Sequence, residues 1–250
     1  MKPNRILLLV FLNLCCSSLA AQTTYTVGVE ALDYKPLYYV DEKNQYSGFA
    51  RELLDDFAKQ MGIKFEYSAL PIKRLYRGLL SADIDFKFPD NPLWQQDLKR
   101  GTPLYYSDPV LSYVDGVFVK PENEHISVAE LKRLGVPLGF SPIPYQSYAQ
   151  AGKISILEEN TYATLIKLVL NNRLDGIYMN YHVAKSNSKQ LFGNREAIAF
   201  AKQLPHVSGT MQLSSNKHQD WIQKFNIYMV ENHQRVLELK EKHQVTLSCF

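Results

Sequence analysis

The sequence predicts an α/β protein of two lobes, each a mostly parallel sheet flanked by helices, joined by two crossing strands. Three observations predict it. From Tyr25 to Phe88 the apolar pattern alternates strand, helix, strand, helix, strand, as in a parallel sheet. The apolar, β-branched stretch Val114 to Val119 then reads as a crossing strand, and beyond it the alternation begins again. No sequence repeat of fixed period is present, so the architecture recurs without a repeated motif. A cleft between two such halves is a common home for a small ligand.

Tyr25–Glu30 alternates as the first strand, and Tyr34-Lys-Pro36 makes the loop after it. Phe49, Leu53, Leu54, Phe57, Ala58 and Met61 recur at helical spacing, which predicts an amphipathic helix over 48–61. Ile63–Tyr67 is the second strand. Pro71 stands where a first helical turn tolerates it, and Ile72, Leu75, Leu79 and Leu80 stripe the helix that follows. Ile84–Phe88 is a short strand that stops at Pro89; Asp90, Asn91 and Arg100 fall on the loop beyond, where ligand groups gather in open α/β sheets.

After the crossing, the pattern predicts a capped helix over 127–134, a strand over 136–140 and a short helix over 145–151. Next come a strand at 154–156, a helix over 161–171, a buried strand over 175–179 and a helix over 181–191. Residues 198–201 carry the chain back, followed by a strand over 209–213 and one long helix over 217–240.

The first 20 residues belong to neither lobe. Lys2 and Arg5 precede an apolar run, Ile6–Leu14, and Ser18-Leu19-Ala20 offers a signal-peptidase site, so cleavage near Ala20 and export to the periplasm are expected. That run is shorter than the ~20 residues a membrane span requires. Loss of this segment removes Lys2, Arg5, Cys15 and Cys16 from the chain. Acidic and basic groups then nearly balance, no basic stripe appears, and nucleic acid is not an expected partner. Cys249 would stand alone, so a core rather than an internal disulfide must hold the fold.

The signal, the Tyr34-x-Pro36 loop, Gly48-Phe49 opening a helix, Ser107-Asp-Pro109 and Arg173-Leu-Asp-Gly-Ile177 occur together in order. In this the mature chain resembles the type II periplasmic solute-binding proteins, family three, which include amino-acid receptors of bacterial uptake systems. The resemblance implies a discontinuous first lobe (23–114 and 204–250), a second lobe (115–203) and hinge closure on ligand. It also implies a monomer that serves a membrane permease or sensor.

For the ligand site the resemblance points to Tyr34 as the binding aromatic and to Arg100 as the carboxylate clamp, a role that suits the guanidinium fork. The loop from Asp85 to Arg100 is about three residues longer than the family's usual one, so Arg100 grips a carboxylate or faces solvent. Two positions depart from the pattern. The acid that receives an ammonium is replaced by Asn180, and the anion-binding turn by Ser141-Pro-Ile-Pro-Tyr145, whose prolines lack N–H donors. Arg74 is a second cationic candidate. Asp90 and Asn91 could supply polar contacts, with Asp90 restoring the missing carboxylate, and Tyr145 and Tyr178 could wall the site.

The six histidines show no metal-ligand spacing, and neither a Gly-x-Ser-x-Gly elbow nor a glycine-rich phosphate loop occurs. No cofactor is expected. The expected function is capture of a small polar, amino-acid-like or other carboxylate-bearing solute without chemistry. The alternative is a periplasmic enzyme on the same scaffold, such as a dehydratase of a cyclic acid, with Asp90 as proton donor. No second apolar span follows residue 240, so a membrane-sensor ectodomain is not expected.

Overall fold

The computed structural model describes residues 22–43, 45–138 and 140–246; the expected signal segment and Cys249 lie outside them. The chain opens with β1 (Thr24–Glu30), a short hairpin β2 (Tyr39–Val40) and β3 (Tyr46–Ser47), and α1 (Phe49–Gln60). There follow β4 (Lys64–Leu70), α2 (Ile72–Leu80), β5 (Phe86–Asp90), the single turn α3 (Gln96–Lys99) and β6 (Tyr105–Tyr106). The long strand β7 (Leu111–Val119) leads to β8 (Arg133–Pro137), α4 (Gln146–Gln150), β9 (Ser155–Glu159) and α5 (Tyr162–Leu170). Then come β10 (Gly176–Asn180), α6 (Tyr181–Phe192), β11 (Ala199–Phe200), β12 (Val207–Ser215), α7 (Gln219–Glu231) and α8 (His233–Lys242).

The strands lie in the order β4-β1-β5-β12-β7-β10-β8-β9. At one end β4, β1 and β5 are parallel; at the other β10, β8 and β9 are parallel. Between them β7 and β12 form an antiparallel ribbon, pairing Leu111–Asp115 with Val207–Met211. Each ribbon strand serves both halves. The far end of β12 pairs with β5 at Gln212–Asp90, while the far end of β7 pairs with β10 from Asp115–Asn180 to Phe118–Ile177. The path of hydrogen-bonded strands is therefore continuous, yet the two parallel sheets hang from opposite ends of the ribbon.

Burial explains the elements. In α1 the stripe Phe49, Leu53, Leu54 and Phe57 is fully buried, at 0–1% exposure, whereas Lys59 and Gln60 face water. Gly48, just before α1, has φ +105°, and a Cβ there would come within 2.9 Å of the Leu37 carbonyl oxygen. Only glycine meets both conditions, and this seats the Tyr34–Tyr38 loop against the helix start.

The strand expected over 136–140 lies at 133–137 and the strand expected to stop at Pro89 includes Asp90, and two expected helices differ more. Residues 127–134 form no helix: Ser127 and Glu130 make the capping contact, with Glu130 Oε2 accepting from the Ser127 backbone N–H at 2.9 Å and its hydroxyl at 2.6 Å. The chain then turns straight into β8, where Leu134 and Val136 are buried in the second core at 0% exposure. The long terminal helix is broken at Asn232, whose amide nitrogen donates to the Tyr228 carbonyl at 3.0 Å, and α8 restarts behind it.

Candidate functional site

Where the two sheets face each other across the ribbon there is a cavity of about 260 Å³. Its walls come from the C-terminal end of β1, the loops after β1, β5 and β8, the start of α2, and β7, β10 and β12. Such strand ends are where open α/β sheets take ligands.

Glu30, the last residue of β1, reaches the cavity with both oxygens engaged. Oε2 accepts from the Tyr38 hydroxyl at 2.7 Å, and Oε1 lies 3.5 Å from Lys87 Nζ. Lys87 is 0% exposed and also donates to the Pro89 carbonyl; its ammonium sits 4.7 Å from the Tyr76 ring centre. A buried lysine survives because it is paired and caged in this way. Tyr34 stacks on Tyr38 at 4.9 Å, and Trp94 Nε1 donates to the Tyr113 hydroxyl at 3.1 Å, so the aromatic walls are held by one another.

Asp115 stands in the middle of β7, on the cavity wall. Its Oδ1 accepts from Asn180 Nδ2 at 3.0 Å, and burial pushes its carboxyl up to about 7. Its negative charge acts on the hydroxyls of Tyr34, Tyr113, Tyr162 and Tyr178, each held above the ordinary phenol value first of all by burial. Among the described residues no cation pairs with it.

Of the residues singled out in the sequence, Tyr34 and Ser141 line the cavity, as does Tyr178. Asn180 stands one layer behind: its amide nitrogen holds Asp115 and its oxygen caps α6, accepting from the His182 and Val183 N–H groups at 3.0 and 3.3 Å. The others are elsewhere. Arg100 is turned outward with its side chain 82% exposed, paired with Asp97 at 2.8 Å. Its neighbour Lys99, the last residue of α3, points inward, whereas Arg100 lies just past the helix end in non-helical backbone and turns out. Arg74 lies exposed on α2, away from the walls.

Asp90 is 0% exposed and saturated, accepting from the Tyr76 hydroxyl and Ser214 Oγ at 2.7 Å, the Asn91 N–H at 2.8 Å and Lys99 Nζ at 2.9 Å. Buried in this way, it does not line the cavity. Asn91 spends its side chain on the Thr210 carbonyl at 2.7 Å and the Leu93 N–H at 2.8 Å, which shapes the loop carrying Trp94. Tyr145 is buried behind Tyr178 with its hydroxyl on the Pro205 carbonyl at 2.8 Å. Glu30, Asp115 and Trp94 were missed. The signal for Asp115 was present: the lone charged residue of a mostly apolar strand.

Two parallel sheets joined by a two-strand ribbon, with an aromatic-lined cleft at the junction, define a two-lobed ligand-binding protein of the type II periplasmic class. The family profile of bacterial extracellular solute-binding proteins, family 3, matches residues 25–243, and the chain belongs to that family. A relative described as a probable histidine-binding protein of Campylobacter jejuni is 26% identical over 213 residues, covering 82% of this chain and 79% of the relative.

Three solved structures share the fold. An ancestral arginine-binding protein with arginine bound has a TM-score of 0.68 at 22% identity, covering 89% of this chain and 98% of its own. The ancestral amino-acid-binding protein AncCDT-1, described as a precursor of cyclohexadienyl dehydratase, has 0.66 at 22%, covering 88% and 95%. A histidine kinase sensor domain has 0.70 at 14%, covering 91% and 99%.

Proposed function

We propose that this solute-binding protein works in the periplasm as a monomer, closing on a small amino-acid-like solute with a positively charged nitrogen and releasing it unchanged to a membrane permease or sensor. The observation that carries this reading is Asp115: a carboxylate on the cleft wall, at the ribbon between the sheets, held by one amide and by no cation. A ligand ammonium is the partner that would repay its burial. The histidine-binding and arginine-binding relatives, whose solutes are rich in nitrogen, agree with it.

In this reading the lobes are 23–114 with 204–250, and 115–203. Tyr34, Tyr178 and Ser141 contact the solute, and Asn180 positions Asp115. Leu93 and Ile143 stand on opposite rims of the cleft, 74% and 65% exposed, and closure would bury both. Closing is then a population shift driven by contacts available only when both lobes touch the solute.

Native mass spectrometry of the exported protein tests the reading. A co-purified small molecule that is lost from a Tyr34→Ala, Tyr178→Ala variant supports it; a bound molecule that survives both changes places the site elsewhere. One observation favours a second reading. Asp115, with its pKa near 7 in a desolvated cleft, could donate a proton, and the resemblance to AncCDT-1 allows a dehydratase of a cyclic acid. Chemical change of the co-purified molecule over hours would select that reading, since a receptor returns its ligand intact.

A further inference from the structure

The cleft offers a place for positive charge and none for negative charge. No lysine, arginine or histidine is among the described residues that line the cavity. The nearby cations are committed: Lys87 to Glu30 and the Pro89 carbonyl, Lys99 to Asp90 and the Asn91 carbonyl, Arg100 to Asp97 outside. The backbone donors of one wall, the turn after β8, are largely spent as well. In the turn after β8, Pro142 and Pro144 have no N–H, the Ile143 N–H donates to the Ser141 carbonyl at 2.9 Å, and the Tyr145 N–H to the Pro142 carbonyl at 2.8 Å. The Phe140 N–H is used in the same way, on the Pro137 carbonyl at 2.9 Å. A ligand carboxylate would enter an aromatic-walled space beside Asp115 with no counter-charge, and an unpaired buried charge is strongly disfavoured.

A cation meets the opposite situation. Asp115 supplies a carboxylate with no cationic partner among the described residues, and the aromatic residues Tyr34, Trp94, Tyr113, Phe140 and Tyr178 line the same space. Aromatic faces attract ammonium groups, more so when water is excluded. We infer that the ligand is a small organic amine that carries no carboxylate, its ammonium set against Asp115 and its apolar or aromatic body between the rings. The inference rests on the receptor reading above and narrows its solute from an amino acid to an amine of the kind left when an amino acid loses its carboxylate.

Calorimetric titration of the mature chain with matched pairs tests it: tyramine against tyrosine, histamine against histidine, agmatine against arginine. At pH 8, at least one amine is expected to bind tenfold or more tightly than its parent, and Asp115→Asn to weaken that amine at least tenfold. Should the variant fail to fold, the wild-type protein gives a second measure: affinity for the amine falls at least fivefold from pH 8 to pH 6, as Asp115 gains its proton. The groups facing Asp115 are Asn180, which does not titrate, and Tyr34, Tyr113, Tyr162 and Tyr178, whose hydroxyls stay protonated throughout that range. If parents bind as tightly as their amines, the amine inference is overturned while capture in the cleft stands. If neither set binds, the receptor reading falls and takes the inference with it.

Discussion

Asn180 holds Asp115 with one end of its amide and caps α6 with the other, at 3.0 Å in each case. The single side chain fixes the cleft carboxylate on β7 to the start of the helix that follows the adjacent strand β10. Asn180→Ala removes both contacts. Loss of an N-cap costs ~1 kcal/mol and loss of a buried donor to a carboxylate ~1–2 kcal/mol. A fall in melting temperature of roughly 4–12 °C is expected, since 1 kcal/mol shifts a chain of this size by ~2–4 °C. Calorimetry that finds no change would mean the amide carries no load.

Arg100→Ala is expected to leave both the melting point and ligand affinity within error. Its pair with Asp97 joins side chains that are 82% and 93% exposed, and exposed pairs contribute ~0–1 kcal/mol. A tenfold loss of affinity in this variant would show that the loop refolds on ligand binding and brings the guanidinium inward.

Much of the fold could be read from periodicity, because strand and helix alternation depends on short-range pattern. The stripe of α1, the buried run of β10 and the crossing at β7 all follow from spacing alone. The site could be read only in part. Tyr34 and Ser141 were named through the family resemblance, and both sit on loops that the topology brings to the cavity. Arg100 was not readable because it falls one residue past the single turn α3, and where so short a helix ends decides whether Lys99 or Arg100 turns inward. Asp90 drew notice as a polar residue at a strand end, yet its partners Tyr76, Lys99 and Ser214 come from three separate segments. Long-range pairing of that kind leaves no mark in local sequence.

Lys99→Met tests that pairing. Lys99 is 8% exposed and Asp90 is 0% exposed, so the substitution leaves a buried carboxylate without its charge partner. Breaking a buried pair from one side costs ~3–5 kcal/mol, far more than the pair itself adds. Urea denaturation should show a midpoint lowered by more than 1 M at unchanged slope, given slopes of ~2–3 kcal/mol per molar. The double variant Lys99→Met, Asp90→Asn is expected to recover at least half of the loss. A single variant as stable as wild type would show that the Lys99–Asp90 contact carries no load.

The last expectation concerns pH and follows from Asp115. Its folded pKa is raised to about 7 by burial, against an ordinary aspartate value of ~3.9. The folded protein therefore binds this proton more tightly than the unfolded chain does. Where the native state holds more protons, stability falls as pH rises. The contribution of Asp115 to unliganded stability is unopposed below pH ~4, declines between ~4 and about 7, and is level above. A bound ammonium reverses the trend, because it needs the ionised carboxylate. Thermal melts from pH 5 to pH 8.5 with a bound amine should show a ligand-induced rise that is small at pH 5, grows through pH 7 and is flat by pH 8.5. Asp115→Asn should flatten the ligand-induced rise across the whole range and lift the unliganded melting point above wild type at pH 8.5. A ligand-induced rise of equal size at pH 5 and pH 8.5 in the wild-type protein would show that the ligand does not engage the Asp115 carboxylate in its charged form.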